Sequence, residues 1–70
     1  MEYKIDLTWD DRAEVWVAQS PDVPGLVLES GSFDALVERV RFAVPDLLEL
    51  NGRAKRPDRL RFCSDRRVAL

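Results

Sequence analysis

The stretch Ser32-Phe33-Asp34-Ala35-Leu36-Val37-Glu38-Arg39-Val40-Arg41-Phe42-Ala43-Val44-Pro45-Asp46-Leu47-Leu48-Glu49-Leu50-Asn51-Gly52 decides the fold. Phe33, Leu36, Val37, Val40, Ala43, Val44, Leu47, Leu48 and Leu50 recur at helical spacing and make one wide apolar face. Asp34, Glu38, Arg39, Arg41, Asp46 and Glu49 fall on the other side. Ser32 suits an N-cap, because its hydroxyl accepts a hydrogen bond from an otherwise orphaned first-turn N–H. Asp34 stands in that first turn, where the helix dipole favours negative charge. Pro45 interrupts the pattern: it has no N–H for the carbonyl of Arg41, and its ring crowds that carbonyl. The apolar stripe runs through the proline without losing phase. One long kinked helix, Phe33 to about Leu50, is therefore expected, stopped by Asn51-Gly52.

Such a helix needs an apolar sheet to cover, and the flanking sequence supplies strands. Tyr3–Trp9 alternates strictly, with Tyr3, Ile5, Leu7 and Trp9 on one side and Lys4, Asp6 and Thr8 on the other. Asp10–Glu14 is a polar break suited to a hairpin loop. Val15–Ala18 resumes as a second strand, and Leu26–Glu29 forms a third. Between these two lies Ser20-Pro21-Asp22-Val23-Pro24-Gly25, in which Pro24-Gly25 fits the centre of a type II turn. Beyond the helix, Arg53–Asp58 reads as a charged linker. Arg59–Ser64 alternates again as a fourth strand, and its parity continues through Val68 and Leu70, so an extension past Asp65 is in reach.

The order β-β-β-α-β predicts an α+β fold. The first three segments make an antiparallel meander. The helix allows a right-handed crossover that lays strand 4 parallel to strand 1, giving a four-stranded mixed sheet of order 3-2-1-4 with the helix on one face. The expected core is Tyr3, Ile5, Leu7, Val15, Val17, Leu26, Leu28, Leu36, Val40, Ala43, Val44, Leu47, Leu60 and Phe62. The uncovered face then carries Lys4, Asp6, Thr8, Trp16, Ala18, Val27, Arg59, Arg61 and Cys63. A solvated antiparallel face should be polar, so Trp16 and Val27 there suggest a binding surface. Two alternatives stand beside that reading. Trp16 packs on the stems of Arg61 or Lys4, or a one-residue change of register turns it toward the helix.

With 70 residues the chain is one domain, 1–70, whose core alone is marginal, so a partner or a second copy is expected. Apolar residues at 46% and charged ones at 34% mark a globular chain rather than a disordered one. The longest unbroken apolar run, Val15–Ala18, is far too short for a membrane span. The charged start, Met1 to Asp6, is unlike a secretory leader, so a cytoplasmic location is expected. No histidine and a single cysteine, Cys63, leave no zinc or iron–sulfur ligand set, no internal disulfide and no histidine base. No cofactor is expected.

Charge is divided along the chain. Residues 1–51 hold four basic and eleven acidic residues, and residues 52–70 hold seven basic and two acidic ones. Such asymmetry can mark a nucleic-acid-binding tail. Its bland counterpart is opposite charge on different edges of one domain. Only Phe62 interleaves with these basic residues, which is thin support for a stacking platform.

Tyr3-Lys4-Ile5, then Val15-Trp16-Val17-Ala18-Gln19-Ser20-Pro21-Asp22-Val23-Pro24-Gly25, then Ser32-Phe33-Asp34-Ala35-Leu36 resembles the N-terminal domain of HicB-type antitoxins. The helix end, Ala43 to Gly52, is more similar to a small stand-alone relative among uncharacterised bacterial proteins. The resemblance covers Tyr3 to about Ser64. It implies a truncated RNase H-like fold and a domain that binds a small toxin which cleaves messenger RNA. Many HicB proteins add a C-terminal DNA-binding segment. Here six residues follow Ser64, too few for one, so operator binding is not expected.

An RNase H-like outline invites a metal-dependent nuclease, which needs converging carboxylates. Asp6 should face away from the helix and Glu38 should lie on its far side, so the two cannot share a metal. Cys63 near Arg61 could be an activated thiol, but a structural cysteine is the ordinary reading. The sequence therefore predicts a non-enzyme, a protein-interaction module with partner-binding candidates Trp16, Val27, Arg59 and Arg61. The expected partner is a second copy, in a homodimer or larger assembly, with a small toxin next. Membrane is not expected. Nucleic acid through the basic C-terminal third, or an orphan domain without a partner, are the rival readings.

Overall fold

The computed structural model describes residues 1–52 and 56–70. Five elements follow one another: β1 (Glu2–Asp10), β2 (Val15–Gln19), β3 (Leu28–Ser30), α1 (Phe33–Leu50) and β4 (Arg59–Asp65). They form an α+β fold with one four-stranded sheet of order β3-β2-β1-β4, as the periodicities predict. β1 pairs antiparallel with β2 and parallel with β4, and β2 pairs antiparallel with β3. Residues 53–55 of the expected linker lie outside the described residues.

α1 runs unbroken across Pro45. Ser32 caps it by accepting from the Ala35 N–H at 3.2 Å. Its end is closed by Gly52, whose φ of 67° is the left-handed conformation that glycine tolerates. Asn51 Nδ2 also donates to the Pro24 carbonyl at 3.0 Å, tying the helix end to the turn between β2 and β3. In that turn the Leu26 N–H donates to the Val23 carbonyl, and Gly25 has φ 85°, as a type II turn requires. Asp22 and Ser20 then serve β1 in place of a strand. Asp22 Oδ2 accepts from the Lys4 N–H at 2.8 Å, and the Ser20 hydroxyl donates to the Lys4 carbonyl at 2.6 Å.

The buried set is Tyr3, Ile5, Leu7, Ala18, Val23, Leu26, Leu36, Val40, Val44 and Leu48. Leu28, Ala43, Leu47, Leu60 and Phe62 pack against it half-buried, as does Trp16. Each fully buried aliphatic side chain contributes about 1.5–3 kcal/mol relative to an exposed one.

The faces of β2 are the reverse of the main expectation. Asp10 pairs with Val15, Trp9 with Trp16 and Leu7 with Ala18. Facing residues of an antiparallel pair share a side, so Trp16 and Ala18 join Leu7 beneath the helix. Val15 and Val17 stand on the open face with Asp10 and Thr8. The loop Asp11–Glu14 sets this register. The Asp10 carboxylate accepts from the N–H groups of Arg12 and Ala13, and Glu14 takes φ 55°. The third strand is also shifted: Leu26 is buried in the preceding turn, Val27 precedes the strand, and pairing begins at Leu28. β4 ends at Asp65 rather than continuing through Val68 and Leu70, which are exposed.

Candidate functional site

The helix covers the face on which Ile5 and Leu7 of β1 and Ala18 of β2 are fully buried, and β4, whose Leu60 and Phe62 stay half-buried, sits at the margin of that face. A groove of about 350 Å³ opens between them. Its floor is apolar: Val44, Pro45 and Leu48 from α1 face Leu60 and Phe62 from β4. Arg41 and Arg56 rim it, with Asp58 and the start of β4 at one end. Sequence alternation explains the floor, because Leu60 and Phe62 pair in register with the buried Tyr3 and Ile5 and share their face. Pro45 adds a second feature, since without its N–H the Arg41 carbonyl on this side has no helical donor.

The start of β4 is pinned to the start of β1. The Met1 ammonium donates to Asp58 Oδ1 at 2.9 Å, and the Asp58 N–H donates to the Met1 carbonyl at 3.0 Å. The ammonium's hydrogen bond and charge hold the Asp58 carboxyl below the usual carboxylate range. The rim arginines have acidic neighbours on the helix: Arg41 reaches Glu38 at 3.1 Å and Arg56 reaches Glu49 at 4.0 Å. Both pairs are exposed, and such pairs contribute little.

β4 is the edge of the sheet. Among the described residues no strand lies beside its outer side. Arg59, Arg61 and Cys63 point to the open face, where their register partners are Glu2, Lys4 and Asp6. That face is otherwise polar, apart from Val15 and Val17, which are half-buried.

The structure does not gather the four predicted partner-binding residues. Arg59 and Arg61 stand exposed on β4. Val27 is 65% exposed, but it lies by β3 at the opposite margin. Trp16 is under the helix, in an aromatic cluster at the hairpin end. Its ring meets Trp9 edge-on at 5.4 Å and Phe33 at 5.0 Å. The Arg66 guanidinium covers Trp9 at 4.2 Å, a cation–π contact one position beyond the Thr8–Asp65 pair. One exposed residue escaped the sequence reading. Phe42 is 72% exposed on the solvent side of α1, and its signal was an aromatic ring in the polar arc.

The carboxylates are spread as alternation predicts. Asp6 is on the open face beside Lys4 at 3.4 Å, and Glu38 is on the outer side of the helix with Arg41. The sheet and helix lie between them. Among the described residues no three of His, Cys, Asp or Glu gather as a metal site. No described helix is long and apolar enough to cross a membrane.

These features define a class: a small α+β module whose one helix covers part of its sheet and leaves an edge strand and an apolar groove accessible. Within that class, the chain belongs to the family described as a domain of unknown function, DUF1902, whose model matches residues 2–70. It is also similar to a hypothetical protein from the extremely thermophilic bacterium Thermus thermophilus, known from its crystal structure. The two share 38% identity over 100% of each chain, with a TM-score of 0.86. No curated protein matches the chain.

Proposed function

We propose that the protein is a non-enzymatic protein-interaction module, acting as a homo-oligomer in the cytoplasm and serving the role of the toxin-binding domain of HicB antitoxins. The observation that carries this reading is the half-covered sheet, whose β4 margin offers an unpaired strand edge beside an apolar groove. Edges and grooves of this kind bind extended or apolar segments of other chains. The dispersed carboxylates support the non-enzymatic half of the reading. Among the described residues the basic side chains of the C-terminal third are dispersed: Arg56 rims the groove, Arg59 and Arg61 face the open side, and Arg66 covers Trp9.

The test uses the tagged chain as bait in lysate of its own cells, with partners identified by mass spectrometry. The expected result is recovery of a small basic protein whose toxicity on expression is relieved by co-expressing this chain. Phe62→Glu, in the groove floor, should reduce that relief. Recovery of the chain alone would remove the antitoxin role.

A further inference from the structure

We propose that two copies of the chain pair antiparallel through the free edges of β4, about a two-fold axis at Phe62 perpendicular to the sheet. This deepens the interaction-module reading and names a second copy as the partner. The strand offers seven residues, Arg59–Asp65, with no proline among them to block a ladder. A two-fold axis makes the strand its own template, so its sequence must complement itself reversed.

One register does so over the whole strand. With Phe62 on the axis, Arg59 of each copy faces Asp65 of the other, Leu60 faces Ser64, and Arg61 faces Cys63. Both opposed ion pairs lie on the open face, and all seven residues are used. Shifting the axis to Arg61 brings that guanidinium against its own copy. Shifting it to Cys63 pairs Arg61 with Asp65, but only the five residues Arg61–Asp65 then face one another, and Arg59 is set against Arg67 beyond the strand. Like charges directly opposite destabilise a strand pair, which disfavours the first shift, and the second pairs fewer residues and parts the two Phe62 rings. Among the described residues Asp65 pairs with Arg67, at 3.7 Å, and that arginine is 91% exposed, a contact easily exchanged.

The other face gives the same answer. Phe62 meets its own copy beneath the joined sheet, beside Leu60. The two half-buried floors then become one apolar strip between the two helices. The pairing covers Leu60 and Phe62, and it satisfies the edge that the single chain leaves to water.

Light scattering across a concentration series at low salt should give the mass of two chains. Arg59→Asp and Asp65→Arg should each weaken the dimer about tenfold or more, since each reversal replaces two attractive pairs with two repulsive ones. The double variant, which restores both pairs, should recover it. Phe62→Cys in a Cys63→Ser background should form an intermolecular disulfide under mild oxidation, because facing residues have Cα atoms about 4.5–5.5 Å apart. The native Cys63, facing Arg61, should not. A single-chain mass up to millimolar concentration overturns the proposal, while the interaction reading stands if the toxin is still bound. A dimer indifferent to both charge reversals, or linked through Cys63, also overturns it, since the copies then meet elsewhere or in another register.

Discussion

The two margins of the helix-covered face are built from the same kind of strand and end differently. On the β2–β3 side Ala18 and Leu26 are sealed under α1, and Asn51 locks the helix end to the Pro24 carbonyl. On the β4 side Leu60 and Phe62 remain half-buried beside a groove. Alternation puts apolar residues on the covered side of every strand. Where the helix lies across the sheet decides which of them become core. One margin is finished within the chain, and the other is left for a second molecule.

The strongest way to break this comparison is to cut into the finished side. Leu36→Ala should cost about 2–5 kcal/mol of unfolding free energy in chemical denaturation, because its side chain is fully buried. Phe62→Ala, on the open margin, should cost clearly less in dilute protein. Equal losses would mean that β4 is as closed as β2. Next in size is the aromatic cluster. Trp16→Ala should cost about 2–3 kcal/mol, well above Val17→Ala on the open face. The reverse order would return Trp16 to the uncovered side.

A smaller effect of opposite sign is expected at Pro45. Pro45→Ala supplies a donor for the Arg41 carbonyl and should raise stability by about 1 kcal/mol or more in thermal melts. A loss instead would show that the ring's contacts in the groove outweigh the missing bond. The smallest effect concerns pH. The Asp58 carboxyl is held below its ordinary range by the Met1 ammonium, so its contribution is present above that range. It is lost as pH falls through the lowered value. Melts from neutral to strongly acid pH should show a slightly shallower acid decline for Asp58→Asn. The contact is exposed, so the difference will be slight.

The architecture was legible because its signals are local and redundant. Period two in Tyr3–Trp9, helical spacing in Phe33–Leu50 and a proline-glycine turn all agree on order and topology. β2 was not legible, since Val15-Trp16-Val17-Ala18 is apolar on both faces and alternation cannot choose between them. The choice is made by four loop residues, with Asp10 gripping the N–H groups of Arg12 and Ala13. Val23 was missed as core because it lies within a turn signal, and its burial comes from the helix end above it. Arg59 and Arg61 could be placed from parity alone. The groove could not, because no periodicity records how far across the sheet a helix lies.

The pairing of β1 with β4 has a kinetic consequence. It joins Met1 to Asp58 across 57 positions of chain. The β1–β2–β3 meander closes over short loops, whereas β4 must wait for the longest closure in the molecule. Contacts that close late and bury little also open readily in the native state. Amide exchange should therefore be faster along β4 than in the centre of β1 and β2, through an opening that leaves the meander and helix intact. The strand offered to a partner is then the one that breathes most, and occupation of its edge should slow its exchange first.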